Sequence, residues 1–301
     1  MNVNGLHLLL TYQCNFECDH CFVWGGPHQY GTMTLELIGE ILRQAKDVGT
    51  VEWIYFEGGE PFLYYPVLRR GVEMAAAHGF RVGIVSNAYW ATGADDARAC
   101  LEPLAGLVQD FSVSSDAYHW SQEDDRRTQL ARSAAAKLDI PMDVISIAPP
   151  EATHVASRRG QIAPGESAVV FRGRAAQRLA PRADSHSWER FTECPFEDLR
   201  EPGRVHLDAL GHVHICQGLT LGNLLEQPLV ELFDSYDPAA HPITGPLLDG
   251  GPAELVRRYD LACRGRYCDA CHLCDTARRA LRSRFPEVLG PDQMYGVRRS
   301  G

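Results

Sequence analysis

Lysine is nearly missing from this sequence. Of 29 basic residues only Lys46 and Lys137 are lysines, and 39 acidic residues bring the formal net charge to -10. That balance excludes the broad basic surface on which non-specific nucleic-acid binding depends, and it suits a cationic substrate. The arginine bias is that of a GC-rich coding sequence. Also missing is an uninterrupted apolar run long enough to span a bilayer, and the N-terminus has no basic region followed by an apolar signal core. The expectation is a soluble, cytoplasmic protein with no membrane partner. In that compartment ten cysteines point to metal and redox chemistry rather than to disulfides. At 301 residues the chain is long enough for one large domain, or for a barrel with a smaller lobe.

The cysteines are unevenly placed. Three stand together in Cys14-Asn-Phe-Glu-Cys18-Asp-His-Cys21, directly after the apolar run 6–10. Three thiolates are one short of a closed structural zinc site and one short of the usual four-cysteine iron-sulfur ligation. They suit a cubane with one iron left open to a substrate or cofactor; the alternative is a zinc site completed by His20 or a distant ligand. Downstream, the strand-like run 51–56 leads into Glu57-Gly58-Gly59-Glu60-Pro61, where two glycines admit close approach of backbone to a ligand and Pro61 holds the exit turn.

Hydrophobic periodicity and turn signals give strands at 5–13, 51–56, 81–86, 109–114, 142–147 and 168–172. Helices are expected from about Thr34 to Gly49, 66–78, 95–104 and 122–138. Alternating strands and helices with short joins imply an α/β fold with a parallel sheet, whose sites lie beyond the strand C-termini. The cysteine loop, the Gly-Gly-Glu turn, Ser86-Asn87 and Ser114-Ser115-Asp116 all fall at such ends. Segments 148–166 and 181–193 are rich in Pro, Arg, Ser and Gly without periodicity, and the second is taken as a boundary between domains at 1–185 and 186–301.

A Cys-x3-Cys-x2-Cys loop after a first strand, with Gly-Gly-Glu-Pro after a second, resembles the radical S-adenosylmethionine enzymes. The resemblance implies a partial (β/α)6 TIM-like barrel and a [4Fe-4S] cluster on Cys14, Cys18 and Cys21. The open iron chelates S-adenosyl-L-methionine, and one electron cleaves it to a 5'-deoxyadenosyl radical that abstracts hydrogen from the substrate. It implies cofactor contacts from Gly58, Gly59, Glu60, Ser86, Asn87, Ser114 and Asp116, and from Arg172 or Arg174 in Phe171-Arg-Gly-Arg-Ala175. The plain alternative is that the short polar residues cap helices or make turns. Tyr118, His119 and Trp120 are placed to face substrate.

Beyond the boundary stand Cys194, then a strand-like run 204–210 and Gly211-x4-Cys216, then Cys263, Cys268, Cys271 and Cys274 before a helix at 275–284. This layout resembles the cysteine-rich auxiliary-cluster domains called SPASM and, in shortened form, twitch. With six cysteines rather than seven it implies one auxiliary [4Fe-4S] cluster, on Cys194, Cys216, Cys271 and Cys274. A zinc knot from Cys263, Cys268, Cys271, His272 and Cys274 is the alternative by ligand count. Cys100 reads as a buried apolar residue.

The resemblance also implies an electron donor of the flavodoxin or ferredoxin type. With the loop beginning at residue 14, a leader-binding domain before the barrel is not expected. Together with the acidic balance this makes a small, polycationic natural product the expected substrate, and neomycin-type aminoglycoside epimerases the nearest comparison. Dehydrogenation of such a substrate, or modification of a ribosomal peptide, are the alternatives. Epimerisation needs a hydrogen-atom donor, yet 217–262 has no cysteine. Asp249, in Leu-Leu-Asp-Gly-Gly-Pro, is expected in a tight loop at the donor position, with Cys263 or Cys268 as the other candidates.

Overall fold

The computed structural model describes residues 1–119, 126–151 and 166–297. Six parallel strands follow one another in sequence order: β1 Gly5–Thr11, β2 Trp53–Gly58, β3 Arg81–Ser86, β4 Asp110–Ser114, β5 Met142–Ile147 and β6 Glu166–Ser167. The helices between them are α1 Leu35–Val48, α2 Tyr65–Ala77, α3 Ala94–Leu101 and α4 Arg126–Lys137. This is the α/β partial-barrel arrangement expected from the sequence.

Parity along the strands assigns the two faces of the sheet. Leu6, Leu8 and Leu10 of β1, Ile54 and Phe56 of β2, and Val82 and Ile84 of β3 pack with α1 and α2 in one core. The alternate residues, His7, Leu9, Tyr55, Glu57 and Val85, face the other way. Local chemistry fixes the helix ends: the Thr34 side chain accepts from the Leu37 amide at the start of α1, and Gly49, at φ +76°, ends it.

Two expectations are corrected here. Residues 168–172 form no strand; β6 is the short pair Glu166–Ser167, because the Phe171 and Gly173 amides bond to the carboxylates of Asp269 and Asp275 instead of to a ladder. Nor does the boundary at 185 separate two cores. After it, β8 Arg204–Asp208 pairs in parallel with β1, and β9 His212–Cys216 and β10 Leu219–Asn223 follow antiparallel, giving a nine-stranded sheet in the order β10-β9-β8-β1-β2-β3-β4-β5-β6. The open edge of β1 is thereby closed. A second core draws Leu9, Tyr12 and Val23 from before the boundary and Leu199, Ile215, Leu247 and Leu273 from after it.

The short helix α5 Arg174–Arg178 follows β6, and a two-stranded ribbon pairs β7 His186–Ser187 with β11 Arg266–Tyr267. The remaining helices are α6 Leu229–Ser235, α7 Thr244–Arg258 and α8 Ala270–Leu281. Helix α8 begins five residues earlier than expected, capped by Asp269, whose side chain accepts from the His272 amide. Helix α7 is broken at Gly250 and Gly251; Gly251 has φ +63° and sits against the backbone of residues 191–193, where any Cβ would lie 2.3 Å from Glu193 N. Among the described residues no helix is long and apolar enough to cross a membrane.

Candidate functional site

The C-terminal ends of β1 to β5 open on a cavity of about 320 Å³, lined by all three cysteines of the 14–21 loop, by Gly58, Gly59 and Asn87, and by an aliphatic wall of Val85, Ile145, Ile147, Val169 and Val170. The strand ends are drawn together by backbone bonds, Gly59 N to Thr11 O at 2.7 Å and Glu60 N to Gln13 O at 2.8 Å. This approach requires glycine, since a Cβ on Gly59 would lie 2.0 Å from Gln13 O.

The cysteine loop is shaped from below. Arg174, 2 % exposed, donates to Cys18 O and to Gly25 O at 2.7 Å each, and its amide donates to Cys21 O. Gly173, at φ +61°, lies so close that a Cβ would come within 2.6 Å of Phe22 Cα. Arg174 is thus a positioning residue rather than a cofactor contact, a role the sequence signalled only through its Gly-Arg-Ala step. Two sulfurs accept amide hydrogens, Cys14 Sγ from Phe16 at 3.4 Å and Cys21 Sγ from Gly25 at 3.2 Å, as thiolate ligands do.

Burial pushes the Cys14 thiol up to about 12, against the pull of the Phe16 amide, and pushes Cys18 up as well. Thiolates here therefore need a compensating positive centre. Among the described residues, the donor groups that converge within 4.8 Å are His7, Glu57 and His206, and His20, Asp116 and His119; neither cysteine set is one of them. Zinc bound tetrahedrally at about 2.3 Å would bring sulfurs to about 3.8 Å apart. Neither thiol set converges as closely as that.

The other predicted contacts divide. Glu60 turns inward: its carboxylate accepts from the Phe62 amide, the Asn87 amide at 2.8 Å and the Ser86 hydroxyl at 2.9 Å, and burial raises its pKa to about 7 in spite of them. Ser86 reaches the wall, but its hydroxyl is also bonded to Trp90 Nε1 and the Ala88 amide. These two side chains tie β2 to β3; the Glu60 carboxylate turns away from the cavity, whereas Ser86 stays on its wall. Asn87 lines the cavity, donating to Asn15 Oδ1 at 2.9 Å and lying 3.7 Å from Cys14 Sγ.

Ser114 lines the cavity, but Asp116 stands behind it, accepting from His119 Nδ1 at 2.8 Å and from the Tyr118 and Ile147 amides. Burial would raise the Asp116 carboxyl, and His119, His20 and the Tyr118 amide together outweigh it and hold it low. The groups presented to the cavity are His119 and His20; burial lowers His20 to about 4, so this ring is neutral at physiological pH. Trp120 lies outside the described residues.

Arg172 belongs to two cavities at once. It lines the first, and it also lines a second, smaller one in which Cys194, Cys216, Cys271 and Cys274 meet. Its guanidinium lies 3.2 Å from Glu197 Oε1 and 3.7 Å from Cys216 Sγ. Arg278, 3 % exposed, also faces the second cavity; its Nη1 donates to Gln217 O and its Nε is buried without a partner. Burial raises the thiols of Cys271 and Cys274. Four thiols facing two guanidinium groups, one half-buried and one buried with an unused donor, fit an anionic four-cysteine cluster. Cys263 and Cys268 are elsewhere: the first lies 3.6 Å from Tyr267 Oη and the second 3.3 Å from Ala180 O.

Asp249 is corrected as well. It lies within α7 rather than in a loop, its side chain is 60 % exposed and bonded to Arg258 at 2.7 Å, and it lines neither cavity. Among the described residues the only thiols on the wall of the first cavity are those of Cys14, Cys18 and Cys21.

Comparison with known proteins agrees with this geometry. Residues 8–119 match the model of the Radical SAM superfamily. The chain is 29 % identical over 111 residues to the "Putative peptide biosynthesis protein YydG" of Bacillus subtilis, which covers 36 % of this chain and 35 % of that protein. It is 34 % identical over 83 residues to the "Tungsten-containing aldehyde ferredoxin oxidoreductase cofactor-modifying protein" of Pyrococcus furiosus, covering 27 % of this chain and 23 % of that one. The matches thus span about a third or less of these relatives' length. The structure of native anSMEcpe with bound AdoMet and Cp18Cys peptide aligns with 94 % of this chain and 97 % of its own at a TM-score of 0.51 and 13 % identity, a likeness of fold. From β1 through the cysteine loop and the Gly-Gly turn to the residues beyond β4, this chain is similar to the Radical SAM superfamily.

Proposed function

We propose that the chain is a radical S-adenosylmethionine enzyme that abstracts hydrogen from a carbon of a substrate held in the first cavity. The observation that carries this is the meeting of the three loop thiols with the Gly58-Gly59 backbone and Asn87 on one wall. A [4Fe-4S] cluster on Cys14, Cys18 and Cys21 supplies reductive cleavage of S-adenosyl-L-methionine when bound. The rest is the protein's part: Arg174 fixes the loop, the Gly58-Gly59 backbone leaves room for the cofactor's amino-acid end, and the aliphatic wall keeps water from a reactive carbon centre. The second thiol set holds an auxiliary [4Fe-4S] cluster on this reading, with a flavodoxin- or ferredoxin-type donor as the source of electrons.

For the substrate we propose an amine-bearing sugar of the aminoglycoside type, and inversion of one carbon as the outcome; the chain's charge of -10 supports a cationic ligand. A second reading, dehydrogenation or a peptide substrate, is favoured by two observations. The wall holds no thiol beyond the loop among its described residues, and more of its surface is apolar than polar; a relative is also named for peptide biosynthesis. Anaerobic reconstitution followed by incubation with S-adenosyl-L-methionine, reductant and a panel of aminoglycosides in deuterated water tests the proposal. Deoxyadenosine with deuterium in an isomeric sugar supports epimerisation, and a product lighter by two hydrogens supports the second reading. Absence of deoxyadenosine from the reconstituted protein would refute both.

A further inference from the structure

One group on the cavity wall is used neither by the cysteine loop nor by the glycine turn. Strands β8, β1 and β2 lie side by side; His7 and His206 are direct register partners, and Glu57 pairs with Leu9, one inward-facing step further along. His7 Nδ1 lies 3.3 Å from Glu57 Oε2, and His206 Nε2 lies 3.2 Å from Oε1. His7 is itself stacked on Tyr55 at 4.5 Å, and Tyr55 donates to Asp110 at 2.7 Å. The carboxylate is thus held from both sides by rings that are held in turn. Its side chain is only 12 % exposed, yet Glu57 lines the first cavity and is the only acidic residue among the described ones that do.

The chemistry of the triad is directional. His7 Nδ1 bonds to Oε2, whereas His206 Nε2 approaches Oε1 without hydrogen-bond geometry, so Oε1 is a buried acceptor with no hydrogen-bond partner. Burial pushes the Glu57 carboxyl up, but His7 and His206 outweigh it and keep the group ionised, while burial keeps His206 neutral. The three donors also converge closely enough for a metal ion. Against a metal stands His206 Nδ1, buried without a partner, because a ligating imidazole ordinarily donates its other nitrogen to an outer acceptor. His206 Nε2 accepts from Gln217 Nε2 at 3.5 Å, which leaves the proton on Nδ1 with no outer acceptor.

We propose that the His7–Glu57–His206 triad is the subsite that receives a protonated amine of an amino-sugar substrate, Glu57 making the contact and the two histidines positioning it. The inference rests on the reading of this cavity as the substrate chamber. The test is anaerobic calorimetry on the reconstituted protein in the presence of S-adenosyl-L-methionine, with neamine and its tetra-N-acetyl derivative as probes. Loss of a charge-assisted bond is expected to weaken neamine binding about 10- to 100-fold in Glu57→Gln.

Glu57→Asp, which keeps the charge but withdraws it by one bond, is expected in between, and keeps the test open if Glu57→Gln folds poorly. The acetylated probe is expected to bind wild type more weakly than neamine and to be indifferent to position 57. Glu40→Gln, which removes an exposed carboxylate on α1, controls for general attraction to an acidic protein and is expected to change nothing. Failure of wild type to bind neamine, equal affinity in wild type and the Glu57 variants, or a stoichiometric non-iron divalent metal present in wild type and lost in Glu57→Gln would each overturn the proposal. Cleavage of S-adenosyl-L-methionine by wild type without sugar is measured alongside. Its absence defeats the radical reading, whereas its presence with unchanged neamine binding defeats only the triad.

Discussion

Replacing Arg174 by methionine tests the claim that the cysteine loop is held from beneath. The guanidinium makes two bonds of 2.7 Å to the carbonyls of Cys18 and Gly25, and no water-exposed surface is near enough to substitute, since Arg174 is 2 % exposed. Hydrogen bonds to a charged group contribute about 1.5–3 kcal/mol each. Two of them, less the desolvation recovered when the charge is removed, leave a net loss of about 2–4 kcal/mol. Lysine, with a single ammonium in place of a planar fork, is expected to recover about half of that.

The assay is anaerobic urea unfolding of the cluster-free protein, compared with iron content after reconstitution. The expected result is a lower midpoint with an unchanged slope and reduced iron retention at the loop. An unfolding free energy for Arg174→Met within about 0.5 kcal/mol of wild type would refute the reasoning, because two buried carbonyls cannot lose a shared cation without consequence unless the loop is held by something else.

Further outcomes follow from the same geometry. Serine at Cys194, Cys216, Cys271 or Cys274 should each lower the iron count by one auxiliary cluster, whereas serine at Cys263 or Cys268 should not; equal losses at all six positions would contradict the grouping. The buried Asp208 accepts from Tyr12 Oη at 2.7 Å and from His212 and His214, and although burial alone would raise its pKa, the two histidines hold it well below the usual carboxylate range. With the folded pKa depressed, this carboxylate stabilises the protein at neutral pH and progressively less as the solution is acidified below about pH 4. Asp208→Asn is expected to cost about 3–5 kcal/mol at pH 7 and to flatten the acid limb of a stability–pH curve; an unchanged acid limb would contradict the assignment.

Much of the fold is legible in residues that act locally. Thr34 and Gly49 mark the ends of α1 because a cap needs only a neighbouring amide and a left-handed residue, and the alternation of apolar residues fixes which face of each strand meets the helices. The run 168–172 misleads because the Phe171 amide, and that of Gly173 just beyond it, are claimed by Asp269 and Asp275, which stand about a hundred residues away. Glu60 looks like a ligand in a list of polar residues at strand ends, but its carboxylate turns inward onto the Ser86 hydroxyl and the Asn87 amide.

The sequence by itself determines the thiol loop, the glycine turn and the alternation that builds the parallel sheet, because spacing and periodicity act over a few residues. Only the tertiary structure decides which carboxylates reach the cavity, that Arg174 clamps the loop while Arg172 spans both thiol sets, and that His7 and His206 close on Glu57. Those choices depend on the closing of β8 against β1, a pairing between segments nearly two hundred residues apart. A shift of one residue in that register would turn His206 away from Glu57.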